Sequence, residues 1–227
     1  MSTSRRAREN AAAIDPTEVF ELQGAMKAIK GLRPAKFDET VEVVARLGVD
    51  PRKSDQMVRG AVSLPHGLGK EVRIIVFAEG DAAEASKAAG ALEVGSEELA
   101  ARVEGGWTDF DIVIAHPSMM RYVGKLGRVL GPQGKMPSPK SGTVTPNVAE
   151  ATAEFLAGKI EFRVDSGGNV HVPVGKLSFS AEQLAENAKT FLDFIVSVRP
   201  SSAKGTYLRT VSVSSTMGPG LKIAFAH

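Results

Sequence analysis

Between Val72 and Ala157 the sequence alternates two patterns, and that alternation restricts the fold more than any other feature of the chain. Val72–Ala78 and Phe110–Ala115 are continuous apolar runs of the kind found in strands buried on both faces, and Leu92–Val94 is a shorter one. Helical stretches separate and follow them. Asp81–Ala89 is Ala-rich, Ser96 opens a helix with Glu97 and Glu98 in its first turn, another helix starts at Ser118 and runs to about Lys125, and Asn147–Ala157 is ended by Gly158. Strands alternating with helices specify a mostly parallel sheet covered on both faces.

On either side of this stretch the grammar changes. Leu22 to about Gly31 reads as the first helix, with Leu22, Met26 and Ile29 on one stripe. Phe37–Leu47 alternates as a strand, with Val41, Val43, Ala45 and Leu47 on one side and Glu42, Val44 and Arg46 on the other. A second strand lies around Val58–Leu64, and Pro65–Gly69 breaks regular structure. From Lys159 onward, Ile160–Val164, a Ser166–Asn169 turn and Val170–Val172 read as a hairpin. A helix over Ala181–Val196 with Ser180 as N-cap follows, and Tyr207–Ser215 is the final strand. The expectation is an α/β chain of two domains. Residues 1–66 and 158–227 form an α+β split domain, a sheet with helices on one face. Residues 67–157 are an inserted α/β, Rossmann-like domain, reached by two linkers lying side by side.

With 227 residues, 43% of them hydrophobic and 24% charged, the chain can bury a real core. It has no cysteine, which excludes disulfides and thiolate zinc sites and fits a reducing cytoplasm, the expected location. No apolar run approaches the roughly twenty residues of a membrane helix. The basic start Met1–Arg8 is followed by no signal-peptide core, so neither export nor a membrane partner is expected.

Charge is unevenly spread. Residues 67–157 hold nine lysines and arginines against twelve acids, whereas the flanks hold nineteen against fourteen. A positive excess confined to the flanks suits an anionic partner. The last thirty-four residues, from Phe194, contain no acid at all. Within them the run Leu208–Thr216 places Thr210, Ser212, Ser214 and Thr216 on one strand face. Small hydroxyls beside basic side chains suit RNA sugars and phosphates, although a half-buried strand with its polar face in solvent would look the same. A second acid-free stretch, Ile112–Ala149, carries Arg121, Lys125, Arg128, Lys135 and Lys140, and includes the Pro/Gly-rich segment Leu130–Val144. That segment reads either as a stiff crossover or as a further contact surface.

Motifs of catalysis are missing. Gly67-Leu-Gly-Lys70 and Gly131-Pro-Gln-Gly-Lys135 look like phosphate loops, but Leu64 and Val129 stand where the first glycine is needed, and no Ser or Thr follows either lysine. His66, His116, His171 and His227 show no ligand spacing. Asp109 and Asp111, just before a buried strand, suit a solvated turn better than acid–base chemistry. No catalytic residue, cofactor or metal is expected.

Seven ordered blocks resemble the ribosomal protein L one family. They are Lys36-Phe-Asp-Glu-Thr-Val-Glu-Val43; Asp55–Gly60 with Leu64–Gly67; Gly127–Val144; Gly158–Arg163; His171–Lys176 with Ser178-Phe179; Lys204–Arg209; and Ser214-Ser-Thr-Met-Gly-Pro219. The similarity runs from about Leu22 to Ile223. It implies a two-domain protein of the large ribosomal subunit that binds ribosomal RNA of the lateral stalk beside the tRNA exit site. It further implies contact with exit-site tRNA, translational repression through the protein's own operon mRNA, and a monomer off the ribosome. Carried over by motif, the RNA-binding residues are Lys36, Phe37, Thr40, Arg163, Ser178, Thr210, Thr216, Met217 and Gly218. Gln133, Lys135 and Ser166–Gly168 depart from the family pattern, which puts peripheral contacts in question. Two rival readings compete with it: an α/β enzyme with a pocket at the ends of Val76–Ala78 and Ile114–His116, and a protein–protein adaptor with a large exposed apolar patch.

Overall fold

The computed structural model describes residues 4–15 and 17–225. Helix α1 (Arg5–Ala12), strand β1 (Val19–Phe20), helix α2 (Leu22–Gly31), β2 (Thr40–Leu47) and β3 (Arg59–Ser63) come first. The middle of the chain supplies β4 (Ile74–Phe77), α3 (Asp81–Ala88), β5 (Glu93–Gly95), α4 (Glu97–Glu104) and β6 (Ile112–Ala115), then α5 (Met120–Val123), α6 (Gly127–Leu130) and α7 (Val148–Leu156). The chain ends with β7 (Lys159–Arg163), β8 (Asn169–Lys176), α8 (Ala181–Ser197), β9 (Leu208–Ser215) and β10 (Leu221–Ile223). Two compact units result, one of residues 1–69 and 162–227 and the other of residues 70–161.

In the first unit a five-stranded sheet has the order β1-β10-β9-β2-β8. β2 is an inner strand, antiparallel to β9 on one side and to the edge strand β8 on the other. Period-two alternation puts Val41, Val43, Ala45 and Leu47 of β2 and Val211 and Val213 of β9 on the buried face. Helices α2 and α8 pack there. Helix α8 forms because Leu184, Ala188, Phe191, Leu192 and Ile195 recur at helical spacing and are all buried. Its start is fixed by a capping box in which the Ser180 hydroxyl and the Gln183 side chain bond each other's backbone N–H groups. Asn187, fully buried on α8, accepts from the His66 N–H and donates to the carbonyls of Gly67 and Val174, so it ties the helix to β8 and to the Pro65–Gly69 crossing. The opposite face of the sheet presents Glu42, Val44, Arg46, Thr210, Ser212, Ser214 and His171.

The second unit has a parallel sheet of order β5-β4-β6. One face buries Ile75, Phe77, Val113 and Ala115 with α4, α5 and α6, and the other buries Ile74, Val76 and Ile114 with Phe155 of α7. This mixed α/β character agrees with the alternation read from the sequence.

Several expectations need correction. Helix α1 precedes the helix expected to be first, and Ser4 caps it through the Ala7 N–H. Tyr207–Ser215 is not the last strand, since β10 follows and pairs with both β9 and β1. β7 and β8 do not form the expected hairpin. β7 pairs with β3, β8 pairs with β2, and only a single bridge, Val164 to Val170, joins the two segments. The Asp165 carboxylate takes the N–H groups of Gly167 and Asn169 and turns the chain there, redirecting it to a different sheet. Ser96 occupies the N-cap of α4, but its side chain makes no capping bond. The stretch after Ser118 is a series of short helical turns rather than one helix. His227 lies outside the described residues.

Candidate nucleic-acid interface

At the end of the sheet where β2 begins and β9 finishes, three segments distant in sequence meet: residues 33–40, 176–179 and 215–218. The strand register brings them together, because Thr40 pairs with Lys176 on one side and Val41 with Ser215 on the other. The Thr216 N–H donates to the Thr40 carbonyl at 3.0 Å, and the Leu177 N–H donates to the Glu39 carbonyl at 2.8 Å. Asp38 accepts from the Ser178 N–H at 3.1 Å and from the Ser178 hydroxyl at 2.8 Å. Lys176 reaches the Thr40 hydroxyl with its ammonium at 2.8 Å.

Two large apolar side chains stand exposed here, Phe37 at 53% and Met217 at 52% of full accessibility. Strand periodicity would carry the core register of Val41 and Val43 back to Phe37, but β2 begins only at Thr40, so the ring escapes it. Lys36 is exposed beside the ring, and neither Lys36 nor Lys176 forms an ion pair among the described residues. Exposed apolar side chains flanked by unpaired cations and hydroxyls can stack on sugars or bases while neutralising phosphates.

Under this surface lies Glu39, 1% exposed. Its carboxylate accepts from the Ala35 N–H at 2.6 Å, the Ser215 hydroxyl at 2.7 Å and the Met217 N–H at 2.9 Å. Arg6 of α1 stands 3.7 Å away. Burial by itself would raise this carboxyl. The bonds from Ser215, Met217 and Ala35, together with Arg6, outweigh it and hold the group below the usual carboxylate range.

Of the nine residues picked from sequence, Lys36, Phe37, Thr40, Ser178, Thr216, Met217 and Gly218 belong to this one cluster. Thr210 does not. It pairs with Arg46 six residues down β9 from Thr216, which is about 20 Å of extended strand. Arg163 is on β7, outside the five-stranded sheet, with its guanidinium 3.8 Å from the Met57 sulfur. Gly218 has an internal reason for being glycine: a Cβ there would stand 2.5 Å from the Ser215 hydroxyl oxygen. Sequence reasoning passed over Asp38, Glu39, Lys176 and Ser215. The signal for Glu39 was present, since the buried register 47, 45, 43, 41 extends to 39.

The Pro/Gly-rich segment of the second unit is internally fastened. Lys135 donates to the carbonyls of Thr108 and Phe110 and sits 4.9 Å over the Phe110 ring, so this cation is committed to packing. Ser138, Ser141 and Thr143 bond one another, while Arg121, Lys125, Arg128 and Lys140 remain exposed. At the end of β6, His116 turns its ring nitrogen to Ser118 at 2.7 Å. Among the described residues no cluster of His, Asp or Glu is placed to hold a metal ion, and no helix is long and apolar enough to cross a membrane.

The sequence profile of the ribosomal protein L1p/L10e family matches residues 26–219. Two similar relatives, each called large ribosomal subunit protein uL1, come from Salinispora tropica and a Nocardioides species. They are 54% and 53% identical to the chain over 223 residues, covering 98% of it and 94% and 93% of their own lengths.

Proposed function

Because the chain belongs to the ribosomal protein L1p/L10e family, we propose that it is a constituent of the large ribosomal subunit and binds ribosomal RNA. The family consists of ribosomal proteins, and no chemistry of its own is required of this chain. One observation carries the reading. At a single end of the sheet, exposed Phe37 and Met217 stand among Lys36, Lys176 and the hydroxyls of Thr40, Ser178 and Thr216. Lys36, Phe37, Thr40, Ser178, Thr216, Met217 and Gly218 form the primary contact, with the rRNA of the lateral stalk beside the tRNA exit site as its target. Thr210 and Arg163 make peripheral contacts along the same RNA.

The finer roles follow from the same surface. A structured segment of the protein's own mRNA that resembles the stalk RNA would compete for it, giving translational repression. The exposed Arg121, Lys125, Arg128 and Lys140 of the second unit face exit-site tRNA. The protein works in the cytoplasm and is a monomer off the ribosome. Residues 1–66 with 158–227 act as the RNA-binding domain, and residues 67–157 act as an inserted domain.

Co-sedimentation tests the reading most directly. The protein should pellet with large subunits and survive a high-salt wash, and it should bind a transcript of the lateral-stalk rRNA far more tightly than an unrelated transcript of equal length. Equal affinity for both transcripts would overturn it. Residues 1–66 joined by a short linker to 158–227 should keep most of that affinity, whereas the isolated middle segment should not bind the transcript.

A further inference from the structure

We propose that Glu39 is the positioning residue of this surface: one buried carboxylate holds the segment bearing Phe37 and the turn bearing Met217 in the arrangement that RNA meets. The inference rests on the RNA-binding reading above and goes beyond it by assigning a role to a residue that RNA itself does not touch.

The division of labour within the carboxylate is the first argument. Oε1 accepts from the Ala35 N–H, two residues before Phe37, and has Arg6 at 3.7 Å. Oε2 accepts from the Ser215 hydroxyl and from the Met217 N–H itself. The two oxygens thus serve two loops separated by some 180 residues of sequence. Backbone pairing adds the third segment, through the Leu177 N–H on the Glu39 carbonyl.

Chemistry is the second argument. Three donors converge, two of them backbone N–H groups that no substitution can alter. Only an acceptor-only group of two oxygens satisfies all of them; a glutamine of the same shape must turn its own NH2 toward one. A buried charge is a poor device for stability alone, since apolar packing in such a place often does as well. Its presence here fits a positional task.

What the clamp supports is itself exposed. Phe37 and Met217 are more than half exposed, so core packing does not hold them. An exposed side chain whose backbone is fixed loses less freedom on binding, and that difference appears as affinity. Gly218 belongs to the same device, because a Cβ there would push away the Ser215 hydroxyl that Glu39 holds.

The test uses the full chain, a transcript of the lateral-stalk rRNA, and the variants Glu39→Gln, Met217→Ala and both together. Glu39→Gln should weaken binding about ten-fold or more, the scale of one lost bond to a buried charged group. In the Met217→Ala background the same change should cost much less, because the side chain it positions is gone. Amide exchange, measured without RNA, should show the Met217 N–H protected in the parent and markedly faster in Glu39→Gln. Parent-like binding by Glu39→Gln, or full additivity with Met217→Ala, would overturn the assignment. If Glu39→Gln does not fold, Ser215→Ala takes its place, since it removes one donor and keeps the carboxylate. It should loosen the Met217 amide and weaken binding several-fold, and unchanged exchange and affinity would overturn the assignment equally. A parent protein that does not prefer the stalk transcript would sink the RNA-binding reading itself, an outcome distinct from parent binding matched by Glu39→Gln.

Discussion

Thr216 and Thr40 are bonded to each other three times across the end of β2 and β9. The Thr216 N–H donates to the Thr40 carbonyl at 3.0 Å, the Thr40 N–H donates to the Thr216 hydroxyl at 3.0 Å, and that hydroxyl donates to the Thr40 carbonyl at 3.2 Å. The hydroxyl therefore lengthens the ladder by one rung beyond the regular strand pairing. Thr216→Val keeps the shape but strands the Thr40 N–H at an exposed site. It should cost about 0.5–1.5 kcal/mol of stability by urea denaturation and also weaken binding to the stalk transcript. Thr216→Ser restores the rung and should recover most of both. Equal behaviour of the Val and Ser variants would mean that the hydroxyl contributes nothing.

Gly218 and Gly24 give opposite expectations for the same substitution. A Cβ at Gly218 meets the Ser215 oxygen at 2.5 Å, whereas at Gly24, inside α2, nothing lies within 4 Å. Gly218→Ala should lower the thermal midpoint and the RNA affinity together. Gly24→Ala should raise stability by about 0.4–1 kcal/mol through helix propensity and leave affinity unchanged. Calorimetry and a binding titration on the two variants decide both points.

The hydroxyl face of the final strand was legible because it rests on local pattern, whereas Lys36, Phe37, Thr40, Ser178, Met217 and Gly218 were reached only through the family resemblance. The alternation through β2 and β9 put Thr210–Thr216 and Val41–Leu47 on their proper faces, and the capping signature at Ser180 placed α8. What was not legible depends on non-local pairing. Nothing near Ile160–Val172 reveals that β7 leaves for β3 while β8 joins β2, so a Gly-Gly turn suggested a hairpin that does not form. Glu39 was obscured by its neighbours: between Asp38 and Thr40 it looks like one more solvated acid. The buried register of Leu47, Ala45, Val43 and Val41 points to its burial, but only the meeting of Ala35, Ser215 and Met217 around it shows what it holds. Lys135 is the converse case, a lysine in an acid-free run whose donors are spent on the Thr108 and Phe110 carbonyls.

Tyr207 is 3% exposed, and its hydroxyl is the buried side-chain polar atom among the described residues that has no partner. Burial, opposed by the nearby Arg199, pushes this phenol up to about 12, so it stays neutral at any working pH. The Arg199 guanidinium lies 5.7 Å over the ring, a contact that phenylalanine preserves. Tyr207→Phe removes an unsatisfied polar group and should leave stability unchanged or raise it by up to about 1 kcal/mol. A loss above about 1 kcal/mol in chemical denaturation would show that the hydroxyl has a partner in solution.

Binding to the stalk transcript should weaken steeply with salt. With about three to five phosphates neutralised by Lys36, Lys176, Arg163 and their neighbours, the log–log slope should fall at roughly −2 to −4.5. Lys36→Ala should flatten it by about one phosphate's worth, whereas Phe37→Ala should weaken binding at every salt concentration with no change of slope. A slope near zero for the parent would mean that the cations are merely solvated.

The acid side of the stability profile carries the signature of the depressed carboxyls. Glu39 is held below its ordinary value of 4.5, with burial opposed by Ser215, Met217, Ala35 and Arg6. Asp165 is held below 3.8, chiefly by the Asn169 N–H. A group whose folded value is depressed stabilises the fold fully above its unfolded value, and that contribution disappears as pH falls through the folded one. The chain should therefore be flat in stability from neutral pH down to about pH 5 and lose stability progressively below about pH 4.5. Glu39→Gln, which cannot titrate, should be less stable than the parent at pH 7, and the gap should shrink as pH falls below the ordinary value of 4.5 and the parent's own carboxyl protonates. Thermal midpoints of the two proteins across pH 3–7 check the sign. A gap that stays constant over that range would show that the Glu39 charge, as distinct from its shape, does not stabilise the fold.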